Sequence, residues 1–156
     1  MLREAIASDI PGIQRVRRSV RENRLVSIVI SHEMVREAIE QSGRGWVVES
    51  QGEVVAFGIG NAVNGNVWAL FVHPDHERRG HGRRLLDTIV GWLWSQGLDR
   101  LWLTTGAGTR AQGFYEAAGW QLADRTTHGE LRYEMHRVPD GPAGAVVPGT
   151  SSPPSP

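Results

Sequence analysis

The run Val72-His73-Pro74-Asp75-His76-Glu77-Arg78-Arg79-Gly80-His81-Gly82-Arg83-Arg84-Leu85-Leu86 concentrates residues whose types and spacing suit one kind of chemistry. An apolar segment, Val67–Val72, feeds a short loop with two closely spaced glycines and four arginines, and a helical pattern follows at once. That is the layout of a phosphate cradle. Gly80 and Gly82 carry no Cβ, so the backbone can curl and aim several N–H groups at one point. The helix that begins there adds free amides and the positive end of its dipole, and Arg78, Arg79, Arg83 and Arg84 add full charges. The expected guest carries a diphosphate.

Other readings of the same run fail on chemistry. A Walker A loop needs a lysine, and all 17 basic residues counted as Lys+Arg are arginines. A dinucleotide-binding Rossmann loop wants a third small residue where Leu85 stands, and it opens its fold instead of following two helices and a hairpin. His73, Asp75, His76 and His81 are of metal-ligating types, but their spacing fits no standard site, and no metal is expected.

Elements to position such a loop can be read on either side of it. Asp9 is placed to cap a first helix carrying Ile10, Ile13, Val16 and Val20, and Ser31 to cap a second with an apolar stripe of Met34, Val35, Ala38 and Ile39, ended by Gly43 or Gly45. Residues 46–49 and 54–62 read as a hairpin around Gln51-Gly52, and Asn64-Gly65 turns the chain into the strand 67–72, giving three antiparallel strands. Leu85, Leu86, Ile89, Val90 and Leu93 mark the longest helix, which Gly97 breaks before a strand at 101–105. Thr109 is placed to cap a short helix bearing Phe114 and Tyr115, with Gly119-Trp120 at its end. Leu131, Tyr133 and Met135 alternate as a half-buried last strand. Gly58 and Gly60 in one strand suggest a bulge or a close approach to a ligand.

The totals bound the rest. With 156 residues and 40% hydrophobic composition, one domain over 1–138 is expected, followed by a Pro/Gly/Ser-rich tail at 139–156 that cannot order itself by apolar burial. Zero formal net charge argues against nucleic-acid binding. No segment suits a signal peptide or a membrane span, so the cytoplasm is expected. The absence of cysteine excludes disulfides, thiolate metal sites and a cysteine acyl-enzyme.

Two blocks, Leu-Phe-Val-His-Pro into Glu-Arg-Arg-Gly-His-Gly-Arg-Arg-Leu-Leu and then Thr-Arg-Ala-Gln-Gly-Phe-Tyr-Glu-Ala-Ala-Gly-Trp, resemble in order and spacing the GNAT superfamily of acyl-CoA N-acyltransferases. The element order agrees over residues 2–138. The resemblance implies an α/β fold with a mixed, mostly antiparallel central sheet flanked by helices, and a splayed strand pair that holds acetyl-CoA as co-substrate. It implies that Arg78, Arg79, Gly80, His81, Gly82 and Arg83 cradle the diphosphate, that the backbone of Leu70, Phe71 and Val72 pairs with the pantetheine arm, and that Tyr115 protonates the departing thiolate. Glu77 stands where the family usually has Gln or Arg, and Gly108 where many relatives have Asn, so that a polar contact to the pantetheine is either missing or replaced by Thr109.

Many relatives carry a glutamate as base on the strand that here holds Trp68 and Ala69, neither of which accepts a proton. The alternatives are Glu22, His32, Glu33, His73, Asp124 and His128, or a water chain; Trp68 is assigned to the acceptor pocket. The expectation is an N-acetyltransferase that moves an acetyl group directly to a primary amine of a small molecule, as a monomer or a homodimer. Two rivals stand beside it: a non-catalytic acyl-CoA-binding regulatory module, and a protein or peptide N-acetyltransferase.

Overall fold

The computed structural model describes residues 1–20, 30–126 and 129–137, which divide into two compact units, Met1–Gly97 and Leu98–Pro156. Expectations that involve Glu22, His128 and the 139–156 tail lie outside the described residues. The first unit runs β1 (Leu2–Glu4), a 3-10 turn (Ala7–Asp9), α1 (Ile10–Ser19), α2 (His32–Glu40), β2 (Gly43–Ser50), β3 (Glu53–Asn61), β4 (Val67–Val72), a second 3-10 turn (Pro74–His76) and α3 (His81–Ser95). Its four strands form an antiparallel sheet in the order β1-β2-β3-β4.

Alternation along β3 decides what packs on each face of that sheet. Phe57 and Ile59 join Ile10, Ile13 and Val16 of α1 and Val35 and Ile39 of α2 in one buried cluster. Gly58 and Gly60, pointing the other way, lie under α3: a Cβ on Gly58 would come 2.6 Å from Ile89, and one on Gly60 2.9 Å from the same side chain. What approaches this glycine pair is therefore a helix and not the ligand expected from sequence, while the bulge, the other expectation, is present as a register shift between Ile59 and Gly60. Leu85, Leu86, Ile89 and Leu93, the buried stripe of α3, then sit flush on the sheet. Each such side chain contributes about 1.5–3 kcal/mol when fully buried.

Several boundaries differ from the sequence reading, each for a local reason. Gly43 and Gly45 do not end α2, which stops at Glu40; they belong to β2, where a Cβ on Gly43 would overlap the carbonyl of Gly60. Asp9 is not a side-chain cap. Its carboxylate accepts two bonds from the Arg3 guanidinium, both 2.9 Å, and one from the Ile6 amide, tying β1 to the start of α1. β1 itself has only three residues and no alternation to betray it. The Gln51-Gly52 turn is as read, with both φ angles positive at 52° and 78°. The link from β3 to β4 is longer than two residues, and the Asn61 side chain organises it by accepting from the amides of Val63 and Asn64 at 2.8 and 3.2 Å.

The second unit contains β5 (Arg100–Gly106), α4 (Arg110–Ala117), β6 (Gln121–Arg125) and β7 (Glu130–His136), with the antiparallel sheet order β5-β7-β6. Leu101, Leu103, Leu131 and Tyr133 are its buried residues on β5 and β7. β6 has no buried residue, and its adjacent Leu122 and Ala123 make no alternating apolar pattern, so the sequence reading does not include it. Thr109 caps α4 as expected, accepting from the Gln112 amide at 3.4 Å.

Candidate functional site

The cradle takes its shape from two residues with positive φ, Arg78 at 63° and Gly80 at 81°. Gly80 is the N-cap of α3 in the left-handed region, a conformation that an added Cβ would strain, and as glycine it offers no capping side chain. The first backbone bond at this end runs from the Arg84 amide to the Gly80 carbonyl, 3.1 Å. The amides of His81, Gly82 and Arg83 precede it, so helix geometry gives them no acceptor. An uncapped N-terminus on a 15-residue helix, with no acidic residue in its first turn, fits a diphosphate.

Side chains around the cradle brace one another. The His73 Nδ1 accepts from the Asp75 amide at 3.1 Å, fixing the turn that leads into the loop. Arg84 lies 2.8 Å from the His81 Nδ1, and Arg83 donates to Asp87 at 3.1 Å. Burial first, and then Arg84 and its cationic neighbours, hold the His81 imidazole below its ordinary pKa, so near neutral pH it stays uncharged. Positive charge at the cradle thus comes from arginines and the helix end.

β4 is an edge strand, and its register fixes which backbone groups it leaves outward. The His73 amide donates to the Val55 carbonyl at 2.8 Å, in phase with the pairs Phe57–Phe71 and Ile59–Ala69. Hydrogen-bonded and non-hydrogen-bonded pairs alternate in an antiparallel ladder, so Leu70 and Val72 turn their N–H and C=O away from β3. Phe71 is committed inward, its backbone to β3 and its ring 5.6 Å from that of Phe57. Two of the three expected edge residues, Leu70 and Val72, therefore turn their backbone groups away from β3. Between Val67 and Ala69 the register shifts, leaving Trp68 without a partner on β3. Such a bulge lets Trp68 and Ala69 both pack toward the α1/α2 cluster, which strict alternation forbids.

In the second unit Tyr115 is buried on α4, with its ring edge-on to Phe114 at 5.2 Å and Trp120 at 6.1 Å. Burial raises its pKa well above the usual phenol value, so the hydroxyl keeps its proton across the physiological range. The hydroxyl of Thr109 donates to the Gly106 carbonyl at 2.8 Å, which commits its only proton to the turn before α4. Gly108 gives its amide to the Gln112 side chain at 2.9 Å.

A cleft of about 220 Å³ opens in the first unit between α2 and the adjacent ends of β3 and β4. Trp68, Ile59, Met34 and Ala38 form its apolar wall, and Glu37, Ser42 and Asn61 its polar one. The expected stripe on α2 thus splits: Val35 and Ile39 enter the core, while Met34 and Ala38 face the cleft with Glu37. Glu37 and Asn61 were not among the residues selected from sequence, since neither belongs to a motif. Of the candidate bases described in the first unit, none lines this cleft. His32 and Glu33 are exposed on the first turn of α2, His73 is engaged in its turn, and Asp124 is exposed on β6, where it accepts from the Arg125 amide at 2.8 Å.

Residues 14–120 match the model of the acetyltransferase (GNAT) family. Among curated proteins, the [ribosomal protein bS18]-alanine N-acetyltransferase of Escherichia coli (strain K12) is 29% identical over 99 residues, covering 62% of this chain and 63% of that protein. The chain therefore spans less than two thirds of that relative's length. Among solved structures, paia N-acetyltransferase from Thermoplasma acidophilum in complex with coenzyme A superposes with a TM-score of 0.76 at 14% identity, over 88% of this chain and 98% of that one. The ribosomal-protein-S18-alanine N-acetyltransferase from Escherichia coli gives a TM-score of 0.70 at 21% identity, over 87% and 92%. These two likenesses establish a shared fold.

Proposed function

Since the chain belongs to the acetyltransferase (GNAT) family, we propose that it is an acetyl-CoA-dependent N-acetyltransferase that passes the acetyl group directly to a primary amine. The observation that carries this reading is the uncapped start of α3 behind Gly80, whose amides suit the diphosphate. When bound, acetyl-CoA supplies the activated acyl carbon and a thiolate leaving group. Arg78, Arg79 and the amides of His81, Gly82 and Arg83 hold the diphosphate, with charge-assisted bonds from the guanidinium groups. The outward N–H and C=O groups of Leu70 and Val72 align the pantetheine arm, and one of those amides polarises the thioester carbonyl.

Tyr115 offers its hydroxyl proton to the departing sulfur. A reference phenol titrates near 10 and a thiol near 8.5, so full transfer from tyrosine is uphill, and burial steepens it. Its contribution is therefore a hydrogen bond that strengthens as charge develops on sulfur. With no cysteine to carry the acyl group, direct transfer in a ternary complex is the simplest scheme.

We place the acceptor amine on a small molecule. A second reading, acetylation of a protein N-terminus, draws support from the name of the Escherichia coli relative. Thiol release from acetyl-CoA across a panel of small amines and alanine-terminated peptides separates the two. Turnover with amines supports the first, and turnover confined to peptides supports the second. Tight acetyl-CoA binding without thiol release from any acceptor would overturn both in favour of a regulatory binding module.

A further inference from the structure

The cleft beside α2 combines four features that together specify a guest. Its wall is apolar and aromatic, from Trp68, Met34, Ala38 and Ile59. Asn61 has its oxygen occupied by the amides of Val63 and Asn64, an orientation those two donors fix, which leaves the nitrogen of the same amide to donate. The amide and hydroxyl of Ser42 both turn to the Glu37 backbone carbonyl, at 3.1 and 3.5 Å. The carboxylate of Glu37 has no cationic partner among the described residues. At about 220 Å³ the space is smaller than the roughly 300–1,000 Å³ typical of pockets for drug-sized ligands, so it suits a fragment of side-chain size.

Charge selects within that class. An anionic guest would meet Glu37 and is disfavoured; an ammonium would find the carboxylate, and its alkyl chain the indole of Trp68 in the wall. The nucleophilic amine of an acyl transfer must be neutral when it attacks, so a cation resting at Glu37 is a different group of the same molecule. The bulge supplies the geometry. Trp68 stands two residues before Leu70, whose outward backbone groups are assigned to the thioester arm, and two residues along a strand span roughly 6–7 Å. A short alkyl chain bridges that distance.

We infer that this cleft is a specificity site for the distal ammonium of a short alkyl diamine acceptor, held by Glu37 and packed on Trp68. The assignment rests on the acetyltransferase reading for its purpose, but its binding chemistry is measurable without turnover. Calorimetric titration of the protein, with coenzyme A present, compares putrescine with 1-butanol, which has the same chain length and no charge. Putrescine is expected to bind at least about tenfold more tightly, and Glu37→Gln to reduce its affinity about tenfold while leaving 1-butanol unchanged. Trp68→Ala should weaken both compounds, and Trp68→Phe should restore much of the loss. Equal affinity for the two compounds, or putrescine binding indifferent to Glu37→Gln in a protein with unaltered melting temperature, overturns the assignment. Thiol release followed in parallel reports separately on the transferase reading.

Discussion

At the scale of single residues, the account depends on groups that the fold leaves uncommitted. Tyr115 is the clearest in the second unit: buried and ringed by Phe114 and Trp120, with burial holding its hydroxyl in the protonated form. Tyr115→Phe removes a hydrogen bond that strengthens only as sulfur gains charge. It should lower kcat by about 10- to 100-fold with little change in acetyl-CoA affinity, as single-turnover kinetics and calorimetry would show. An unaltered chemical rate would remove Tyr115 from the mechanism. The residue was legible in sequence because its neighbours form a motif. Glu37 and Asn61 were not, since a lone carboxylate on a helix and an asparagine at a strand end read as solvated surface until the cleft is seen between them. Thr109 is expected from sequence to contact the cofactor, and its hydroxyl proton goes to the Gly106 carbonyl, a competition that only coordinates reveal.

At the scale of elements, strands and helices with periodic apolar faces were readable, and those without were not. α2, α3, α4 and β7 fall close to where capping residues and spacing put them, whereas β1 and β6 form because a neighbour offers a ladder. β1 is held by the pair between Arg3 and Asp9, whose carboxyl titrates below its ordinary value chiefly because Arg3 donates to it. A lowered carboxyl pKa gives stability that is present above the unfolded value of 3.8 and is lost as pH falls below it. Arg3 is 33% exposed, so solvent screens part of the attraction. Asp9→Asn should accordingly cost about 1–2 kcal/mol at neutral pH, and urea midpoints of mutant and wild type should converge in acid. The contact between α3 and β3 makes a second prediction. Gly58→Val would drive a branched side chain into Ile89 and Leu70, and should cost about 2 kcal/mol or more, seen as a lowered melting temperature.

At the scale of the whole molecule, the first unit builds the cradle and the β4 edge from consecutive elements, so a strand, a tight loop and a helix start arrive as one piece. That continuity explains why the proposed diphosphate cradle is legible in a linear motif, while the cleft assembled from α2, β3 and β4 is not. The central claim is that amides at the start of α3 grip a diphosphate. Calorimetry with coenzyme A and with pantetheine, which lacks the diphosphate, tests it most directly, in the wild type and in Gly82→Val, where a branched side chain stands at the mouth of those amides. The account predicts that coenzyme A binds the wild type about 100-fold or more tightly than pantetheine and that Gly82→Val erases most of the difference. Equal binding of the two compounds, or a coenzyme A affinity untouched by the substitution, would contradict it.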